Sequence, residues 1–204
     1  MRIAVLVYGR LHRCVEHYTN IVESIGRQND IDFFLSSDNS SESLLHDFLR
    51  IYRPIVYTNS PIHYDYNLAN YPGKPPETNI HSMTCHFINK NRVFVLFEEY
   101  AHREHIQYDC VISLRVDLAF QTGFVLNALE ENTIYIPHGS DWGGINDQVA
   151  YGNVDVMKTY NSINAIDLLE KQCSIPHPER LYKAHIDSHM LRVVRVPIQY
   201  RIDK

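Results

Sequence analysis

Three short apolar segments separated by two helical patterns open the chain, and this alternation constrains the fold more than any other feature. Residues 3–7 form a continuous apolar run rich in β-branched side chains, which is typical of a strand covered on both faces. Apolar residues at helical spacing follow over about residues 13–25, and a second apolar run spans residues 32–35. A helix over about residues 43–52 and a strand at 55–57 repeat the order. This order predicts a parallel sheet.

The rest of the chain continues the alternation. The predicted helices lie at about residues 83–103, 153–162, 165–172 and 178–189, and the predicted strands at 108–114, 134–136 and 193–200. Residues 58–80 are rich in tyrosine, proline and asparagine without any period, which predicts a long loop. No internal repeat or domain boundary interrupts the 204 residues. The sequence therefore predicts a single α/β domain with a mostly parallel central sheet flanked by helices.

Charge and cysteine content exclude several classes of protein. The formal net charge is −5 and the pI is about 6.2, whereas proteins that neutralise nucleic-acid phosphates usually carry the opposite balance. No segment approaches the ~20 apolar residues of a membrane helix, and the opening apolar run is too short for a signal peptide. The four cysteines are scattered without a C-x-x-C pair. We therefore expect reduced thiols, a cytoplasmic location, no nucleic-acid binding and no membrane span.

Polar residues follow three of the predicted strands, at the sheet edge where open α/β sheets bind ligands. The first group includes Tyr8, Gly9 and Arg10, and the second includes Ser37 and Asp38. Neither the G-x-G-x-x-G fingerprint nor a P-loop is present. A nucleotide could approach the backbone at the glycine and meet the arginine. A tight turn with a surface arginine explains the first group equally well.

The third group is Arg115 and Asp117, directly after the strongest predicted strand. A carboxylate at the end of a buried strand has to be solvated by a metal ion, an arginine or a helix terminus. Divalent cations that bridge diphosphates bind to one or two carboxylates in this way. On its own, the spacing favours a salt bridge between the two side chains over a metal site.

Three segments carry a family resemblance. Residues 108–118 resemble the strand that leads into the metal-binding D-x-D motif of GT-A-type nucleotide-sugar glycosyltransferases. Residues 141–152 contain the string W-G-G-I-N-D-Q-x-A-Y-G, and with residues 178–202 they resemble a group of these enzymes from chloroviruses, which are large algal viruses, and some bacteria. This sequence departs from the motif at its first acidic position, which is Arg115.

The resemblance implies a nucleotide-sugar donor, with UDP the expected nucleotide, and a Mn²⁺ or Mg²⁺ ion that neutralises the leaving diphosphate. It implies that Asp117 is the principal metal ligand and that His185 is a second one. His185 and His189 also have the i, i+4 spacing of a zinc pair, but a third ligand with suitable spacing is missing. A helix-end histidine bonded to carbonyl groups remains the alternative for His185. Arg92 is a candidate phosphate contact, with surface solvation as its alternative.

The same resemblance suggests where the acceptor is bound and activated. Inversion at the sugar carbon needs a carboxylate that deprotonates the acceptor hydroxyl. We predict Asp147 as acceptor-binding residue and base, with Asp141 as the alternative and helix capping as the structural explanation. Trp142 is poorly placed for burial and could stack on a sugar ring. The other predicted acceptor-binding residues are Gly143, Gly144, Asn146 and Gln148.

The predicted function is that of a metal-dependent hexosyltransferase, which moves glucose or rhamnose from a UDP-sugar to a glycan of a glycoprotein such as a viral capsid protein. The predicted transfer inverts the configuration of the sugar carbon. The nucleotide-binding part would span about residues 1–118 and the acceptor-binding part about 119–204. The location would be the host cytoplasm if the protein is viral, and the chain could belong to a longer polypeptide. A non-catalytic nucleotide-sugar or carbohydrate binding module is the alternative, and a phosphoesterase-like hydrolase is a third hypothesis.

Overall fold

The computed structural model describes residues 1–38, 40–64, 79–127, 129–170 and 177–203. Nine strands and six helices lie in these ranges. The strands are β1 (Arg2–Tyr8), β2 (Asp30–Ser37), β3 (Val56–Asn59), β4 (Cys110–Arg115), β5 (Leu118–Phe120), β6 (Thr133–Pro137), β7 (Val149–Gly152), β8 (Arg192–Val196) and β9 (Tyr200–Ile202). The helices are α1 (Cys14–Ile25), α2 (Glu42–Tyr52), α3 (Ile80–Arg103), α4 (Val154–Asn161), α5 (Ala165–Glu170) and α6 (Pro178–Ser188).

The central sheet has seven strands in the order β3-β2-β1-β4-β7-β6-β8. Strand β1 pairs in parallel with both β2 and β4, and β6 pairs in parallel with β8. Strand β7 is antiparallel to both of its neighbours. The prediction of a single α/β domain with a mostly parallel sheet is confirmed, because helices cover both faces of this sheet.

The core consists of one apolar layer on each face of the sheet, and β1 contributes to both. Ala4, Leu6 and Tyr8 pack on the face covered by α3, α4 and α6, whereas the residues between them pack on the face covered by α1 and α2. Residues 3–7 are completely buried. The continuous apolar pattern of β1 therefore reflects burial of both strand faces.

Three structural features differ from the sequence-based expectations. Residues 193–200 do not form one strand, because β8 ends before Pro197 and the chain continues as β9. Strand β9 pairs with β5 in a separate two-stranded antiparallel sheet. Strand β7 was not predicted, although it lies in the middle of the main sheet. These strands are three or four residues long, so their pairing partners define them more than any sequence period does.

Other expectations concern the loop, the cysteines and membrane spans. Most of the predicted loop at 58–80, the end of the predicted helix at 165–172, and Cys173 lie outside the described residues. Cys14, Cys85 and Cys110 are free and buried. Within the described ranges, none of the helices combines the length and the hydropathy that a membrane-spanning segment requires.

Candidate functional site

A cavity of about 570 Å³ opens at the carboxyl ends of β1, β2 and β4. Its lining comes from these strand ends, the beginning of α1, the N-terminal half of α3 and the residue that follows β9. The lining residues are Tyr8, Gly9, Arg10, His12, Arg13, Asp38, Leu44, His81, Ser82, Cys85, His86, Asn89, Arg115, Asp117 and Asp203. Because ligands of open α/β sheets bind at this edge, the cavity is the candidate site.

The turn after β1 brings backbone and positive charge to the cavity. Gly9 has a φ of +93° and donates its N–H to the carbonyl of Ser36 at 3.0 Å. A left-handed conformation of this kind favours glycine. Arg10 is exposed at the cavity, and Arg13 precedes α1 at a φ of 52° without capping it through its side chain. The uncapped positive end of the α1 dipole therefore lies beside two arginines.

Arg115 and Asp117 form a bidentate ion pair at the end of β4. The guanidinium Nε donates to Oδ1 of Asp117 at 2.9 Å, and Nη2 donates to Oδ2 at 2.5 Å. Burial lowers the pKa of Arg115, but the hydrogen bonds and charge of Asp117 outweigh burial and hold the pKa above its usual value. The pair corresponds to the salt bridge that the spacing of these residues favoured.

The two other carboxylates of the cavity are also engaged by side chains. Asp203 forms an ion pair with Arg201, whose Nε lies 2.9 Å from Oδ1, and its Oδ2 lies 3.6 Å from Nε2 of His17. The backbone N–H of Asp203 also donates to the carbonyl of Asp117 at 3.0 Å. Asp38 accepts from Nδ2 of Asn89 at 3.1 Å. Every carboxylate that lines the cavity therefore already has a cationic or amide partner.

A divalent metal ion fits this arrangement poorly. His185 does not line the cavity with Asp117, and its Nε2 lies 2.7 Å from the carbonyl of Thr159. This contact matches the carbonyl-bonded alternative for a helix-end histidine. In the parts of the chain that the structure describes, no three His, Cys, Asp or Glu side chains converge in a way that could hold a metal ion. Both oxygens of Asp117 already accept hydrogen bonds from a guanidinium.

A buried histidine–aspartate pair lies at the inner end of the cavity. Asp147 precedes β7 and is almost fully buried, and its Oδ2 lies 3.2 Å from Nε2 of His86 on α3. The other edge contacts of His86 are the rings of Tyr8 and Phe87, at centroid distances of 5.1 and 5.5 Å. His86 lines the cavity, whereas Asp147 does not.

Lys90, one turn further along α3, is completely buried beside this pair. Its Nζ donates to the carbonyl of Asp147 at 2.7 Å and to the hydroxyl of Tyr160 at 2.9 Å. The rings of Tyr8, Tyr160 and Tyr182 surround the ammonium group at 4.3 to 4.8 Å from their centroids. The lysine thus ties α3 to the segment before β7 through an aromatic cage.

Burial sets the direction of the pKa shift at Lys90 and His86, whereas neighbouring charges set it at Asp147. Burial lowers the pKa of Lys90 to about 7, although the charge of Asp147 opposes the shift. Burial also lowers the pKa of His86 despite the nearby carboxylate. Burial raises the pKa of Asp147, but the contacts with His86 and the charges of Lys90 and Arg115 outweigh it, so the pKa is lowered. At neutral pH the pair consists of an ionised carboxylate and a neutral imidazole.

The loop between β6 and β7 has an unusual backbone. Gly139, Ser140, Trp142 and Gly143 all have positive φ values, between 42° and 83°. A Cβ on Gly144 would lie 2.1 Å from the carbonyl oxygen of Glu179 at the start of α6. Only glycine therefore allows this loop to lie so close to the helix backbone.

Asn146 holds this loop together from the inside. Its Nδ2 donates to the carbonyl of Gly139 at 3.0 Å and to the hydroxyl of Tyr200 at 2.7 Å, and its Oδ1 accepts the N–H of Gln148 at 3.0 Å. Tyr200 in turn donates to Oε1 of Gln148 at 2.8 Å. Asp141 accepts the N–H of Asn146 at 3.0 Å. These contacts place the amide groups inside the protein.

Trp142 is the exposed member of the loop, with 69% of its surface accessible. Its ring centroid lies 6.5 Å from that of His177, which precedes α6. The Nδ1 atom of His177 lies 2.6 Å from Oε2 of Glu179. Burial and the charges of Asp147 and Asp141 raise the pKa of Glu179 to about 8.

Comparison with known proteins gives one sequence family and several solved structures. DUF7796, described as a domain of unknown function, matches residues 5–202. The chain belongs to the DUF7796 family. No curated protein sequence matches it. The solved structures include the galactosyltransferase LgtC in complex with donor and acceptor sugar analogs, with 13% identity and a TM-score of 0.52 over 94% of this chain and 72% of LgtC.

Two further solved structures are similar to the DUF7796 domain. An active-site mutant of LgtC has 13% identity and a TM-score of 0.49, with the same coverage. The apo form of the glycosyltransferase GlyE from Streptococcus pneumoniae TIGR4 has 16% identity and a TM-score of 0.48 over 94% of this chain. The DUF7796 chain spans 44% of the length of GlyE. The similarity to LgtC shows that the DUF7796 domain has the fold of GT-A glycosyltransferases, as the sequence resemblance implied.

The DUF7796 structure brings some of the sequence-predicted site residues together and separates others. Tyr8, Gly9, Arg10, Asp38, Arg115 and Asp117 line one cavity. Ser37 is buried beneath it and bonds to Ser40 through their hydroxyl groups at 2.6 Å. Arg92 does not line the cavity and donates to the carbonyl of Ser60 at 3.1 Å. Asp141 pairs with Arg195 at 2.8 Å.

On α3, sequence reasoning named Arg92 as a candidate phosphate contact but missed His86 and Asn89, which line the cavity, and the burial of Lys90. His86, Asn89 and Lys90 are polar residues at the helical spacing of the buried apolar positions, such as Val93. Ionisable side chains at core positions are rarely fully buried without a partner. That spacing is the signal in the sequence that could have identified them.

Proposed function

We propose that this DUF7796 domain is a glycosyltransferase that moves a hexose from a nucleoside diphosphate sugar to a glycan hydroxyl. The observation that supports it most directly is the cavity at the carboxyl ends of β1, β2 and β4, where Arg10, Arg13 and Arg115 converge. LgtC, whose fold this chain shares, was solved with donor and acceptor sugar analogs bound.

The donor would occupy the part of the cavity formed by β1, β2 and β4. The backbone at Gly9 allows close approach, and the arginines together with the α1 N-terminus favour the two phosphates. Asp38, which Asn89 holds in place, would accept hydrogen bonds from ribose hydroxyls. This assigns nucleotide binding to about residues 1–118, with UDP-glucose or UDP-rhamnose as the donor suggested by the sequence resemblance.

The acceptor would bind over the part formed by residues 119–204. Trp142 offers an exposed aromatic face of the kind that stacks on sugar rings. Gly143 and Gly144 shape the loop that carries it, and Asn146 and Gln148 hold the loop from within. A glycan of a glycoprotein, such as a viral capsid protein, is the acceptor suggested by the resemblance.

The buried pair at the inner end would handle the acceptor proton. The carboxylate of Asp147, 3.2 Å from Nε2 of His86, would orient the ring through its charge, which leaves Nδ1 to take the proton as the hydroxyl attacks the sugar carbon. The bond between the sugar carbon and the diphosphate oxygen breaks, and its electron pair leaves with the diphosphate. In this scheme Asp147 is a positioning residue for His86, and the transfer inverts the configuration of the sugar carbon.

A transfer assay with UDP-sugars and glycan acceptors tests the proposal. We expect UDP release that depends on acceptor, and a decrease in kcat of about 100-fold or more for His86→Gln and Asp147→Asn. Arg192→Ala, on the edge strand β8 and ion-paired with Glu130, is the control and should retain full activity. Donor hydrolysis at the same rate without acceptor would support the hydrolase hypothesis instead. Donor binding without any transfer or hydrolysis would support the binding-module alternative.

A further inference from the structure

Arg115 occupies the position at which the D-x-D motif has its first carboxylate. Its guanidinium binds both oxygens of Asp117, which is the motif's second carboxylate. A metal ion could coordinate Asp117 only after displacing a guanidinium that is held by two charge-assisted hydrogen bonds. The other cavity carboxylates, Asp38 and Asp203, are engaged by Asn89 and Arg201. The donor set of the cavity is therefore already satisfied by protein cations and amides.

Arg115 itself retains capacity for an anion. A guanidinium has five N–H donors, and the ion pair uses one on Nε and one on Nη2. Its Nη1 atom donates no hydrogen bond to any residue that the structure describes. The side chain is 34% exposed and lines the cavity, so the unused donors can reach a ligand there.

The remaining positive groups face the same cavity from β1 and α1. Arg10 forms no ion pair with any described residue, and the closest carboxylate oxygen to Arg13 belongs to Glu16, at 3.9 Å. The N-terminus of α1 lacks a side-chain cap. These groups and the unused donors of Arg115 surround a space in which a diphosphate would be bound from more than one side.

We propose that this DUF7796 domain binds the diphosphate of its donor through Arg115, Arg10 and Arg13 and carries out transfer without a divalent metal ion. The inference rests on the proposed glycosyltransferase function and concerns the same site. As the bond between the sugar carbon and the phosphate oxygen breaks, the electron pair passes to the diphosphate, and the guanidinium of Arg115 neutralises the new charge. The acceptor oxygen forms the new bond, and its proton passes to His86. Asp117 is the positioning residue that holds the guanidinium in place.

Calorimetric titration of the full chain with UDP tests this inference, once in EDTA and once in excess Mn²⁺. We expect the wild-type Kd to differ by less than about threefold between the two conditions. Arg115→Met should weaken binding by about tenfold or more in both, because it removes charge-assisted hydrogen bonds. Arg115→Lys should recover part of the affinity, because it keeps the charge without the planar fork. Arg192→Ala should match the wild type.

The substitution Arg115→Asp provides a stronger test, because it restores two carboxylates at the D-x-D spacing. We expect this variant to bind UDP poorly in EDTA and to regain affinity when Mn²⁺ is added. Circular dichroism and a urea titration confirm that each variant is folded. The same comparison of EDTA and Mn²⁺ in the transfer assay should leave the wild-type kcat unchanged.

Three results would overturn the inference in different ways. Wild-type binding or turnover that is lost in EDTA and restored by Mn²⁺ would refute metal independence while leaving the glycosyltransferase proposal intact. Failure of the wild type to bind UDP, UDP-sugars and inorganic diphosphate in both conditions would refute both. Unchanged UDP affinity in the folded Arg115→Met protein would refute the role of Arg115.

Discussion

The buried lysine of α3 makes a quantitative prediction about the pH dependence of stability. Burial lowers the pKa of Lys90 from 10.5 to about 7. At any pH between these values the unfolded chain binds more protons at this position than the folded protein does. The free energy of unfolding therefore rises with pH over this interval, by at most about 1.4 kcal/mol per pH unit. The full difference, reached below pH 7, corresponds to roughly 5 kcal/mol.

Substituting Lys90→Met removes this dependence. The methionine side chain fits among the rings of Tyr8, Tyr160 and Tyr182 but donates no hydrogen bond, so Asp147 loses one donor to its carbonyl. That loss is independent of pH, and the hydroxyl of Tyr8 still donates to the same carbonyl at 3.1 Å. Between about pH 7.5 and 9.5, we expect the wild type to gain about 2–3 kcal/mol of stability relative to the variant.

Urea unfolding followed by far-UV circular dichroism at several pH values measures this difference. Lys158→Met is the matched control, because this exposed lysine on α4 pairs with Glu98, which raises its pKa above the tested range. The control should keep the wild-type slope. Parallel pH profiles of the wild type and Lys90→Met would refute the reasoning, since they would mean that the lysine is equally protonated in both states.

Three further predictions concern the loop before β7 and its neighbours. Gly144→Ala should strongly lower the urea midpoint, because the new Cβ would lie 2.1 Å from a carbonyl oxygen. A Cβ on Gly139 would meet nothing within 4 Å, so Gly139→Ala should cost only about 1–2 kcal/mol of stability for its positive φ. Equal losses in the two variants would contradict the packing argument. Glu179 has a pKa raised to about 8, so the stability of the wild type relative to Glu179→Gln should fall as the pH rises from about 4.5 to 8 in thermal unfolding; parallel profiles of the two proteins would count against the shift. Trp142→Ala should change stability by less than about 0.5 kcal/mol and raise the acceptor KM at constant donor KM; a raised donor KM would place the tryptophan elsewhere.

The predicted strands between residues 1 and 118 were the most reliable part of the sequence interpretation. Strands β1, β2 and β4 are continuous apolar runs because both of their faces are buried, and this local property is visible in the sequence. The rule that ligands bind at the carboxyl ends of such strands then identified Arg10, Asp38 and Asp117 as neighbours of one cavity.

Residues 119–204 were harder to predict. Asp147 was predicted to bind the acceptor and act as the base, but the structure buries it against His86. The segment that follows is the antiparallel strand β7, and its four residues are too few to show a hydrophobic period in the sequence. The predicted partnership of Asp117 and His185 has no geometric support among the described residues, because α6 directs His185 toward a carbonyl of α4.

By itself, the sequence determined the alternation of strands and helices, the apolar character of the central strands and the polar residues at their ends. These properties follow from local composition and spacing, and they were sufficient for the fold class. The tertiary structure decided which polar groups meet. It alone pairs Asp147 with His86, encloses Lys90 among three tyrosines and adds Asp203 to the cavity. Protonation and binding depend on burial and on distances between side chains that are far apart in the chain, and local spacing carries no information about either.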